Sequence, residues 1–210
     1  NVTKDIIWEK IRAEVEQDAA REPMLASFLY SSVLNHKTLE DALSFILAAK
    51  LGSPTLSSVS LRDLIDEAFT GDSAIGEAVR ADIEAVVTRD PACRGYSQPL
   101  LYFKGFHSLQ AYRVAHYFWQ RDRRALALYM QSHVSETFAV DIHPGARMGK
   151  GLFFDHATGV VIGETTVIED NFSMLHEVTL GGTGKETGDR HPKIRKGVLI
   201  GAGAKVLGNI

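Results

Sequence analysis

Gly151-Leu152-Phe153-Phe154-Asp155-His156-Ala157-Thr158-Gly159-Val160 opens the segment whose reading decides the fold. The segment runs on through Leu180-Gly181-Gly182-Thr183-Gly184-Lys185 to Gly188-Asp189-Arg190-His191-Pro192-Lys193. Around these motifs an apolar residue returns at every sixth position: Ile142, Met148, Phe154 and Val160, then, after Thr166, Phe172 and Val178. The beat resumes at Ile194, Ile200 and Val206. From Val178 to Ile194 is 16 residues, four beyond two hexads, so a segment carrying the glycines, basic residues and His191 is expected to bulge out there. A helix repeats at about 3.6 residues and a flat strand at about 2, so six fits neither. Six fits a left-handed parallel β-helix, in which three hexads make one triangular coil and each sixth side chain fills the interior.

Ahead of this region the composition is helical. Thr38 with Asp41 reads as a capping pair, followed by one apolar face of Leu39, Ala42, Leu43, Ile46 and Leu47. Ser60 and Asp63 repeat the device before Leu61, Leu64, Ile65 and Ala68, with Gly71 as a stop signal. Further helices are expected near 4–20, 24–35, 74–88, 99–119 and 122–137, and Pro91 ends one of them at Asp90. At Val140 the glycines thicken, and valine and isoleucine replace the Ala/Leu/Glu mixture. The expectation is an α+β chain: an all-helical N-terminal domain over 1–139 followed directly by a β-helix over 140–210 that carries the chemistry.

The balance of 23 basic and 26 acidic residues, net −3, argues against a general nucleic-acid or membrane-surface binder. Residues 185–205 nevertheless hold six basic groups against Glu186 and Asp189, a local excess suited to an anionic ligand. Cys93 is the sole cysteine, which points to a reducing, cytoplasmic setting, and no apolar run is long enough to read as an export signal or a membrane span. Asn1-Val2-Thr3 and Asn171-Phe172-Ser173 are chance matches to the glycosylation pattern in that setting. The start at Asn1 and the end on a coil residue, Ile210, read as those of a fragment.

Four histidines, His143, His156, His176 and His191, fall in the β-helical half, and stacked coils could converge several of them on zinc. No H-x-x-x-H pair or cysteine cluster supports that, and no metal is expected. Gly181–Lys185 imitates a phosphate loop but has Glu186 where Ser or Thr is required, so nucleotide hydrolysis is rejected. Its glycines still suit a ligand lying against bare backbone. Asp155-His156 offers an imidazole base beside a carboxylate, while no G-x-S-x-G elbow is present and Cys93 lacks an adjacent base. A base without a nucleophile implies direct transfer from a donor to a bound acceptor.

The chain resembles the serine acetyltransferase family over nearly its whole length. The resemblance rests on Glu22–Phe28, Arg89-Asp90-Pro91-Ala92, Tyr102–His107, Val140–Pro144, Asp155–Gly159, Val178–Lys185 and Gly188–Ile194. It implies acetyl transfer from acetyl-CoA to L-serine, with His156 as general base, Asp141 orienting it and His191 as the second active-site histidine. Asp90 and Asp155 would receive the substrate ammonium and Arg190 its carboxylate, while acetyl-CoA would touch Gly182, Thr183 and Ala202. It further implies trimers paired into hexamers, feedback by L-cysteine, and docking of a C-terminal tail on O-acetylserine sulfhydrylase. The left hand of the coil is an exception to the usual crossover rule and rests on the resemblance. Competing readings are an acyltransferase for a sugar or amino sugar, a zinc hydratase on the same scaffold, and an inactive scaffold that binds the sulfhydrylase.

Overall fold

In the computed structural model, which describes residues 4–210, eight α-helices precede ten short strands. The match at Asn1 lies outside the described residues. The first helix is α1 (Ile6–Arg21), and Pro23 then opens a tight turn, Pro23–Leu25. The single helix expected near 24–35 is instead that turn, the short α2 (Ala26–Leu29) and a π-helical turn, Tyr30–Leu34. In α3 (Leu39–Leu51) the Thr38 hydroxyl accepts from the Asp41 amide at 3.1 Å, as the capping pair requires. For α4 (Ser58–Gly71) the cap is Ser57, not Ser60. The upstream hydroxyl takes the Ser60 amide at 3.2 Å, so Ser60 falls inside the first turn. Asp72 ends α4 and caps α5 (Ser73–Arg89), whose own end is Asp90.

The aromatic segment breaks at Phe103 into α6 (Ser97–Tyr102) and α7 (Lys104–Gln120). The break aims Gly105 at the first coil. A Cβ on Gly105 would lie 2.1 Å from the Phe154 carbonyl oxygen, so only glycine permits the approach. The last helix, α8 (Arg124–Phe138), stops at Ala139, which takes a left-handed φ of 55°.

The strands form three parallel sheets, the three sides of a left-handed triangular β-helix. The first side holds β1 (Val140–Ile142), β4 (Val160–Ile162), β7 (Thr179–Gly181) and β10 (Lys205–Leu207). The second holds β2 (Arg147–Met148), β5 (Val167–Ile168) and β8 (Lys193–Ile194), and the third β3 (Phe153–Phe154), β6 (Ser173–Met174) and β9 (Leu199–Ile200). The register corrects the hexad phase. Ile142 stacks on Ile162, not Val160, and Phe154 on Met174. The interior ladder therefore continues through Ile162, Ile168, Met174 and Leu180, then Ile194, Ile200 and Val206. Two extra residues enter between Phe154 and Ile162, at the corner holding His156. The bulge between Leu180 and Ile194 has eight extra residues rather than four. Val160, Thr166, Phe172 and Val178 are buried as well, forming a second series at the same spacing, which masks the shift.

Helices and coils share one continuous apolar cluster, running from Trp8 through Phe118 and Phe138 to Phe172 and Leu180. The seam between them is also polar. Asp82 on α5, fully buried, accepts from Gln110 Nε2 (2.8 Å), from Arg113 Nη2 (2.7 Å) and from the Leu152 amide (2.9 Å). Arg89, at the end of the same helix, donates to the Gly151 carbonyl at 2.9 Å and to Ser173 Oγ at 3.1 Å. These contacts set where Asp90 stands. Among the described residues no helix is long and apolar enough to cross a membrane.

Candidate active site

The two-residue insertion after β3 dictates the first half of the site. His156 and Ala157 both take left-handed backbone angles, φ 58° and 64°, which non-glycine residues adopt only where the surroundings enforce it. Here Ala157 is fully buried and anchors the corner, which turns the adjacent imidazole outward with its side chain 72% exposed. Asp155 Oδ1 lies 3.6 Å from His156 Nε2. Across from this corner, α5 delivers Asp90, held in a turn by a bond from the Ala92 amide at 2.9 Å. Asp90, Asp155 and His156 together line a cavity of about 310 Å³, closed on its helical side by Tyr102, Phe103 and Lys104. Lys104 binds the Phe138 carbonyl at 3.0 Å and Thr158 Oγ1, tying the corner to the end of α8.

The eight-residue insertion after β7 makes the second cluster. His191 is buried, with Nδ1 facing the Thr165 amide at 3.1 Å and Thr165 Oγ1 at 2.7 Å. Burial, followed by the neighbouring Arg190 charge, lowers its pKa and keeps it neutral near pH 7. Arg190 pairs with Glu164 Oε1 through both terminal nitrogens at 3.2 Å and spends one further bond on the Gly188 carbonyl. His143, also kept neutral chiefly by burial, stands 3.8 Å from Glu164 Oε2. Asp141, on β1 of the same side, accepts from Gln131 Nε2 at 2.8 Å.

Within one chain these clusters do not meet. Asp90, Asp155 and His156 share the corner between the third and first sides. Arg190 and His191 occupy the corner between the first and second, roughly 15 Å of extended chain away. Asp141 is not among the residues lining the His156 cavity, and the carboxylate beside His156 is that of Asp155. The residues expected to touch acetyl-CoA divide the same way. Gly182 adjoins His191, and Thr183 packs near Gly208, whereas Ala202 stands at the His156 corner, where the Gly203 amide reaches the His176 carbonyl. The four histidines likewise form two pairs on two corners: His156 with His176 (ring centroids 6.0 Å apart) and His143 with His191. Among the described residues no group of three or more His, Cys, Asp or Glu could hold a metal ion.

Sequence reading missed Lys104, Glu164, Thr165 and Gln131, and it named His176 without pairing it with His156. A coil repeat of twenty residues, Val140 onto Val160, would have found His176 beneath His156. The others depend on tertiary approach. A second cavity of about 370 Å³ lies beside Tyr112, Arg113 and His116, where Arg113 is held by Asp82 and His116 by the Pro144 carbonyl at 2.7 Å.

Residues 7–111 match the family model described as serine acetyltransferase, N-terminal. A serine acetyltransferase of Salmonella typhimurium is 56% identical over 206 residues, which is 98% of this chain and 76% of the relative. The chain belongs to the serine acetyltransferase family. Solved serine acetyltransferases carry the same architecture. That of Brucella abortus, in complex with coenzyme A, is 52% identical with a TM-score of 0.96 over 98% of this chain and 82% of that one. The soybean serine acetyltransferase, complexed with serine, is 58% identical with a TM-score of 0.94, covering 97% and 84%. A serine acetyltransferase in complex with cysteine is 55% identical with a TM-score of 0.95, covering 97% and 84%.

Proposed function

We propose that the chain transfers acetyl from acetyl-CoA to the hydroxyl of L-serine, directly and by general-base catalysis. The observation that carries this is the cavity in which two carboxylates, Asp90 and Asp155, flank the projecting imidazole of His156. Two carboxylates suit an ammonium group, and the base beside them is then within reach of the hydroxyl of the same small molecule. His156 takes the serine Oγ proton as Oγ bonds to the thioester carbonyl carbon. The C–S bond breaks, and the departing sulfur takes that proton back from the imidazolium. The products are O-acetylserine and coenzyme A. Arg190 receives the serine carboxylate with guanidinium donors left over from its pair with Glu164.

Because the two clusters occupy different corners of one chain, the working site is read as shared. Asp90, Asp155, His156 and Ala202 come from one subunit, and Asp141, Gly182, Thr183, Arg190 and His191 from its neighbour in a trimer. On this reading residues 1–139 pair trimers into hexamers and residues 140–210 are catalytic. Exposed Met24 and Tyr30 beside the short α2 supply apolar surface for that pairing. L-Cysteine as inhibitor, a cytoplasmic location, and docking on O-acetylserine sulfhydrylase through a C-terminal tail belong to the same proposal.

Subunit mixing tests it. His156→Ala and His191→Ala each abolish thiol release from acetyl-CoA with serine. Co-assembled in equal amounts, they recover about a quarter of wild-type activity, because a quarter of the shared sites receive both intact residues. No recovery refutes the shared site, and turnover of an amino sugar but not serine refutes the acceptor.

A further inference from the structure

The second cluster contains a residue that no catalytic assignment uses. Thr165 stands at the corner between the first and second sides and makes four contacts with the Arg190-His191 pair. Its hydroxyl oxygen accepts from the Arg190 amide at 3.0 Å and the His191 amide at 3.1 Å. Its hydroxyl lies 2.7 Å from His191 Nδ1, and its own amide donates to the same nitrogen at 3.1 Å. A backbone amide can only donate, so Nδ1 is the acceptor and the proton of the neutral ring sits on Nε2. With two amides already donating to the Thr165 oxygen, its hydrogen is left for Nδ1 too. Nε2 has no hydrogen-bond partner among the described residues. It points over Gly163, where a Cβ would come within 2.0 Å, and lies 3.6 Å from the place a Cβ on Gly182 would take. The ring is therefore seated between two glycines with its N–H facing the space beside Gly182.

We propose that Thr165 is a positioning residue which locks His191 in the Nε2–H tautomer, making His191 a hydrogen-bond donor to a substrate oxygen and leaving His156 the only base. This rests on the preceding placement of His191 in the acetyl-transfer site. The division follows from the geometry: a nitrogen that already accepts two bonds cannot take the serine proton, and the other nitrogen already holds one.

The test uses the intact enzyme with Thr165→Val, Thr165→Ser, His191→Gln and His191→Ala, assayed by serine-dependent thiol release. It is accompanied by nitrogen-15 spectra of histidine-labelled protein across pH. Thr165→Val should lower kcat/KM about ten-fold, the weight of a lost hydrogen bond, and Thr165→Ser should restore it. Wild-type His191 should give the spectrum of a pure Nε2–H ring, and Thr165→Val a mixture of tautomers. His191→Gln, which keeps a donor near Nε2, should exceed His191→Ala in kcat. Unchanged turnover in His191→Ala overturns the site placement, and this inference with it. A damaged His191→Ala beside a Thr165→Val of wild-type rate and tautomer overturns the positioning role alone.

Discussion

Replacing Asp82 by alanine should destabilise the protein by about 3–5 kcal/mol, because of what the missing carboxylate leaves behind. Asp82 is fully buried and Arg113 only 8% exposed, so removing one strands the other as a charge without a partner. The Leu152 amide and the Gln110 side chain lose their acceptor in the same step, at about 1–3 kcal/mol for each buried group that finds no substitute. Removing both charges, in Asp82→Leu with Arg113→Met, relieves the stranded cation. It leaves the Gln110 side chain, the Leu152 amide and the Gly149 carbonyl to be re-satisfied. The double variant should therefore lose less than the sum of the single losses, by up to about 3 kcal/mol. Urea unfolding followed by circular dichroism, at one fixed protein concentration, measures all of these. A single-variant loss below about 1 kcal/mol, or strict additivity, would show that the cluster is solvated rather than buried. A functional echo is expected too. α5 carries Asp82 and ends at Asp90, so Asp82→Ala should raise the serine KM more than it lowers kcat.

Burial depresses the His107 pKa to about 4, whereas the unfolded ring titrates near ~6.5. The unfolded chain then binds the extra proton, so this stability is whole above pH ~6.5 and is lost as pH falls towards 4, about 3 kcal/mol across the window. His107→Gln, which keeps a donor for the Leu100 carbonyl, should flatten the dependence of the urea midpoint on pH, and parallel slopes would contradict the assignment. Arg89→Met, which frees the turn holding Asp90 from the Gly151 carbonyl and Ser173, should raise the serine KM about five-fold with the acetyl-CoA KM unchanged. L-Cysteine should inhibit in competition with serine, and Arg190→Ala should weaken both by about 2–5 kcal/mol; inhibition competitive only with acetyl-CoA would be the wrong answer.

The six-residue beat was legible because an interior position of a triangular coil admits only side chains that fill it, from Ile142 to Val206. Its phase was not. Val160, Thr166, Phe172 and Val178 are spaced by six and buried, yet the stacked ladder is Ile162, Ile168, Met174 and Leu180. Two interlaced buried series look alike in one dimension, and only strand register separates them. The same ambiguity misplaced the cap of α4, since Ser57 and Ser60 are both competent and the upstream hydroxyl won. His156 and His191 stood out as candidates by residue type. That they sit on different corners of the coil depends on those registers. Asp90 was legible as a turn beside Pro91, but its entry into the His156 cavity depends on Arg89 and Asp82 holding α5 against the first two coils.

Both clusters lie where the chain departs from the repeat, and a physical reason underlies this. In a regular coil each strand's amides and carbonyls are committed to the coils above and below, and alternate side chains point in or out in fixed directions. Such a position can pack or be solvated, but it cannot aim. The two extra residues after Phe154 free one corner from that pattern, and the left-handed backbone at His156 and Ala157 turns the imidazole away from the coil. The eight extra residues after Leu180 let Arg190 and His191 fold back on Glu164 and Thr165 of the same corner one coil earlier, which replaces the missing strand contacts with side-chain bonds. A triangular prism places the two insertions on different edges. Lengthening either one to close the gap within a chain would cost it the contacts that aim it. The threefold association proposed above would bring one chain's first corner against its neighbour's second without altering either, so the coil itself supplies the physical reason for a shared site.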